Sequence, residues 1–157
     1  MGENQGALAM PPGPDPALKR LEMFVGTWEM RGRTLDSDED NVSGKSTFEW
    51  LPGGFFLQQR SEFDFAGIRI SALEVIGYDP ERNVFPSTVY ANMIGVPIPY
   101  EYDVEGDDVT ITTEFLGARF TGKASQDGKT FSGGWRPMPG RKGPGNVAYD
   151  ITGTRVS

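Results

Sequence analysis

Residues 55–78 read FFLQQRSEFDF, then AG, then IRISALEVIGY. In the first run Phe55, Leu57, Gln59, Ser61, Phe63 and Phe65 fall on one side, against Phe56, Gln58, Arg60, Glu62 and Asp64. In the second, Ile68, Ile70, Ala72, Glu74 and Ile76 share a side. Strict period-two alternation joined by a two-residue Ala66-Gly67 turn predicts an antiparallel hairpin with one apolar face. The same alternation recurs outward in both directions. Upstream, Trp28, Met30, Gly32 and Thr34 alternate with Glu29, Arg31 and Arg33, and Ser46, Phe48 and Trp50 share a face after Gly44. Downstream, shorter strands are expected near 84–91, 98–104, 108–115, 116–124, 129–136 and 147–155. Asp79 to Asn83, Glu105-Gly106-Asp107 and Gln126-Asp127-Gly128 supply turn chemistry between them. That makes about ten strands with short connections and no helix between them. Parallel crossovers are thereby excluded and a meander follows. An open ten-stranded sheet would leave two unpaired edges; closing it removes both, which favours a barrel over a sandwich. The expected fold is all-β, a closed antiparallel up-and-down barrel.

One helix is expected, near the start. Asp15 can cap it with Pro16 at the first position, running through Ala17, Leu18, Leu21 and Glu22. A short helix is marginal by itself, so it should lie across a barrel end or plug the core. Residues 1–16, ending Pro11-Pro12-Gly13-Pro14-Asp15-Pro16, are expected to be a flexible arm, and 17–157 a single domain. Pro137 to Gly145 reads as a long loop. Gly133-Gly134 reads as a barrel kink, since no helix follows to make a phosphate site.

Composition removes several functions. The 157 residues contain no Cys and no His, so thiolate zinc sites, disulfides and histidine-ligated haem are excluded. Neither haem nor zinc should bind tightly, and no cofactor is expected. With 15 Lys and Arg scattered against 22 Asp and Glu, no basic face exists for nucleic acid. No apolar run approaches the roughly 20 residues of a membrane helix. The opening Met-Gly-Glu-Asn-Gln-Gly carries no basic-then-apolar leader, and Gly6 stands where a myristoylation signal needs Ser or Thr. A cytoplasmic location is expected; a homodimer is compatible with the sequence. Asp36 to Asp40 reads as a solvated turn, lacking the Gly and Glu spacing of a calcium loop.

Phe24-Val25-Gly26-Thr27-Trp28 with Arg155 near the end of the last strand resembles the calycin signature of lipocalins and fatty-acid-binding proteins. That resemblance implies that Arg155 stacks on Trp28 to close one barrel end. Joined by Glu49 to Leu57 and Gly77-Tyr78-Asp79-Pro80, these residues resemble a bacterial family of uncharacterised lipocalin-like proteins. The resemblance implies a barrel with a ligand cavity and no particular reaction. Nitrobindin-like barrels need a haem histidine that this chain lacks. The Arg-x-Tyr carboxylate grip of fatty-acid-binding proteins is also missing, because Val147-Ala148 precedes Tyr149.

The expected partner is a small hydrophobic ligand. Candidate lining residues are Trp50, Leu57, Gln59, Ser61, Phe63, Glu74, Tyr90, Tyr100, Tyr102, Arg119 and Trp135. Gln59 and Ser61 interrupt an apolar face, and either a ligand or neighbouring groups must satisfy them. Tyr100 and Tyr102 alternate with Glu101 and Asp103, which suits a planar ligand or plain core packing. Tyr90 lies on a strand with two mixed faces. Arg119 could meet an acidic ligand group or point to solvent. Glu74 is the acid–base candidate if its phase holds, and a solvated carboxylate if a bulge intervenes. Two functions remain: first a binding or carrier protein, and second a cofactor-free cyclase or isomerase using Glu74 and the tyrosines. A structural or assembly role has no supporting feature beyond the loops.

Overall fold

The computed structural model describes residues 12–157; most of the expected arm, residues 1–11, lies outside them. Ten antiparallel strands form a closed barrel, each paired with its neighbours in sequence and β1 with β10. They are β1 (Gly26–Thr34), β2 (Val42–Trp50), β3 (Leu57–Phe65), β4 (Ile68–Ile76), β5 (Phe85–Ala91), β6 (Ile98–Glu105), β7 (Asp108–Thr113), β8 (Ala118–Ala124), β9 (Thr130–Pro137) and β10 (Tyr149–Arg155). Closure satisfies both edge ladders, so the barrel is preferred for the reason the alternation indicated. Strand ends shift slightly from expectation. Phe55 and Phe56 are half-exposed residues of the β2–β3 loop rather than the start of β3. Residues 114–117 form the β7–β8 turn instead of continuing the strands. Among the described residues, no helix is long and apolar enough to cross a membrane.

The helix precedes β1 and spans Pro16–Phe24 in 3-10 geometry. Three residues per turn stack every third side chain in one row, and Leu18, Leu21 and Phe24 are that row. All three are buried, packed with Leu57, Ile76, Phe85, Tyr102, Val104 and Val109. The helix therefore stoppers one end of the barrel. Its N-cap is Asp15, whose Oδ1 accepts from the Ala17 amide at 2.9 Å. Asp15→Ala should lower unfolding stability by about 1 kcal/mol, read from the denaturant midpoint with an unchanged slope.

Trp28 and Arg155 are register partners on β1 and β10. The guanidinium carbon lies 4.4 Å from the Trp28 ring centroid, within cation–π range. Arg155 also donates to the carbonyls of Gly128, Val25 and Met23, and Trp28 Nε1 donates to Phe24 O at 2.8 Å. One cation thus ties the helix exit, the β8–β9 turn and the last strand together at the stoppered end.

Gly133 and Gly134 both lie within β9. β9 runs through both with continuous pairing to β8 and β10. A Cβ at Gly133 or at its partner Gly122 would meet the Phe120 ring at 2.5 Å. The two glycines make room for that ring against bare backbone.

Candidate functional site

Because the helix fills one end, the interior remains open toward the other. A cavity of about 580 Å³ occupies the barrel, a size suited to small molecules. Its walls come from the inward phase of nearly every strand. Met93 and Ile94 of the β5–β6 loop, Leu116 of the β7–β8 turn and Gly145 before β10 bound it at the mouth, and Phe24 and Trp28 bound the stoppered side. Several half-exposed apolar side chains stand in or beside the loops at the mouth end: Leu35, Ile68, Met93, Val96, Phe115 and Val147.

One wall is aromatic. Trp135 meets Phe120 at 5.5 Å and Tyr100 edge-on at 5.9 Å between ring centroids. Phe120 stacks on Phe131 at 5.8 Å, and Phe65 meets Tyr149 edge-on at 4.8 Å. Small side chains line part of β3–β5, with Ala72 register-paired to Ser61 and Ala91.

A polar band crosses the apolar interior near the helix. Gln59 Nε2 donates to Ser46 Oγ at 3.2 Å. Glu74 is Gln59's register partner and is only 6% exposed. It points inward, so no bulge intervenes. Ser87 Oγ lies 2.6 Å from its Oε2 and Tyr102 Oη lies 2.9 Å from its Oε1, each placed to donate. Burial raises the Glu74 pKa to about 7, and the two hydroxyl hydrogen bonds only partly oppose that. Burial, reinforced by the Glu74 charge, pushes the Tyr100 and Tyr102 phenols up as well. Both tyrosines are therefore neutral hydrogen-bonding groups near neutral pH.

Gln59, Ser61, Phe63, Glu74, Tyr100, Tyr102 and Trp135 all line this cavity. Four candidates do not. Leu57 is fully buried but belongs to the core beneath the helix. Trp50 packs on that same core and donates Nε1 to Glu22 Oε1 at 3.0 Å; its phase was correct, but the helix occupies its end of the barrel. Tyr90 is 50% exposed because Phe85, Ser87 and Val89 take the inward phase of β5. Arg119 is exposed between buried Ala118 and Phe120, and its register partners are Thr112 and Arg136.

Ser87 and Ser46 were not singled out in the sequence, yet they complete the polar band. The signal for Ser87 was present: a polar residue in phase with Phe85 and Val89. The mixed outer face of β5, Pro86, Thr88 and Tyr90, obscured it. Among the described residues, no group of three or more His, Cys, Asp or Glu could hold a metal ion.

A family profile described as "Protein of unknown function (DUF1579)" matches residues 13–131, more than half of the chain. No curated protein matches it significantly. Among solved structures, "Crystal Structure of Rv2717c from M. tuberculosis" aligns over 92% of this chain and 99% of that one, at 13% identity and a TM-score of 0.38.

Proposed function

The chain belongs to this DUF1579 family of proteins of unknown function, and we propose that its barrel binds or carries a small hydrophobic, aromatic molecule in the manner of lipocalin-like containers. The observation that carries this reading is the cavity of about 580 Å³, stoppered at one end and reaching the loops at the other. A packed core leaves few voids larger than a water molecule, so a space of this size is a feature to be accounted for. Gly26, Trp28 and Arg155 support the lipocalin-like comparison, since they build the closed end as that resemblance implied. Removing about 300 Å² of apolar ligand surface from water contributes roughly 7 kcal/mol. Immobilisation offsets part of this, so apolar burial alone leaves an affinity weaker than about 10 μM.

The test uses Nile red, a neutral dye whose emission rises in apolar surroundings. Saturable one-to-one binding is expected. Ala72→Phe fills the middle of the cavity from its small-residue wall and should weaken binding about 30-fold or more, a loss of ~2 kcal/mol. Its melting temperature should stay level or rise, because the new ring enters open space. Dye binding that ignores the substitution would sink the reading.

A second reading draws on Glu74. A carboxyl held near 7 inside the cavity can give and take a proton at neutral pH, as a cofactor-free cyclase or isomerase would require.

A further inference from the structure

We propose that the ligand of this cavity is an apolar aromatic amine, seated with its ammonium against the Glu74 carboxylate. The proposal rests on the cavity-binding reading above and names the chemical class that the cavity selects.

Among the described residues, Glu74 is the only carboxylate that lines the cavity, and no Lys or Arg lines it. The groups that face it are few. Register partners Gln59 on β3 and Val89 on β5 flank it, Ser87 of β5 and Tyr102 of β6 hydrogen-bond it, and Tyr100 of β6 stands close enough to feel its charge. None of these is a cation. An ionised carboxylate in an apolar enclosure without a counter-charge is costly, and a cation paired with it offsets much of that cost where further hydrogen bonds complete the site.

The protein has nevertheless kept this carboxyl oriented. Each oxygen meets one hydroxyl, and a carboxylate has about four acceptor positions, so acceptor capacity remains on both. A ligand ammonium supplies both missing elements, the further donors and the positive charge. Tyr100 and Trp135, which meet edge-on in the lining, give the ligand's aromatic part rings to pack on. A carboxylate ligand is disfavoured, because it would meet Glu74 with no Arg or Lys to receive it. A neutral carbonyl ligand would need Glu74 protonated as a donor, and that arrangement has the opposite pH dependence.

The experiment compares three molecules on one skeleton, naphthylethylamine, naphthylethanol and naphthylacetate, by calorimetry from pH 5.5 to 8.5. The amine stays protonated throughout, with a pKa near that of Lys, about 10. Its affinity should rise as Glu74 ionises through about pH 7, and the affinity of the alcohol should not. At pH 8 the amine should bind at least tenfold tighter than the alcohol, with the acetate weakest. Glu74→Gln should bring the amine down to the alcohol's affinity and leave the alcohol within about threefold. The wild-type pH profile alone decides the matter if the variant folds poorly. Alcohol binding that equals amine binding at pH 8 would overturn the proposal while leaving the cavity reading intact. Absence of binding by all three would overturn both.

Discussion

Gly26→Val is expected to cost the fold about 4 kcal/mol, the sum of a strained backbone and a displaced cation. Gly26 has φ +127°, a conformation closed to β-branched residues. A Cβ there would lie 2.6 Å from Arg155 Nη1 and 2.5 Å from the Ser157 carbonyl. The guanidinium cannot yield cheaply, because it is held over Trp28 and donates to three backbone carbonyls. Gly67 provides the control. It too has positive φ, +91°, but nothing lies within 4 Å of a Cβ placed there. Gly67→Ala should cost only the strain, about 1 kcal/mol. Urea denaturation of both variants measures the difference. Equal losses would mean that the closed end does not depend on Arg155.

Glu74→Gln is expected to stabilise the unliganded protein at pH 8 by up to about 3 kcal/mol, and to leave it nearly unchanged at pH 4.5. The folded-state pKa is raised by burial from 4.5 to about 7. Between those values the native protein holds a proton that the unfolded chain has released. Stability tied to Glu74 is therefore fully present below about pH 4.5 and is lost as pH rises through about 7. Gln keeps the shape and can still bond Ser87 and Tyr102, but it carries no charge to bury. The quantity to measure is the stability difference between variant and wild type across this pH range, which cancels the other carboxylates. A flat difference would show that Glu74 titrates like an exposed residue, and the amine proposal would lose its pH dependence with it.

Strand phase carried the candidate site a long way. Gln59, Ser61, Phe63 and Glu74 reached the interior because a period of two leaves each side chain only one face once its neighbours are known. Tyr90 failed because neither face of β5 is uniformly apolar, so local pattern held no vote that its pairing with β4 and β6 did not overrule. Trp50 and Leu57 failed differently. Both are in phase, but phase says nothing about height along the barrel axis, and the helix claims their level.

The sequence by itself determined the meander, most inward rows and the capped helix start, because alternation and turn chemistry act between residues near in the chain; the Trp28–Arg155 contact followed from the calycin resemblance, since those residues meet only where β1 pairs with β10. It also excluded histidine and cysteine chemistry outright. Tertiary structure alone decided that the helix stoppers one end, that a cavity of about 580 Å³ survives above it, and that Glu74 meets Ser87 and Tyr102. Those outcomes depend on how ten strands close and how far one row of Leu18, Leu21 and Phe24 fills the interior. Volume and depth are properties of the closed barrel, and no single strand encodes them.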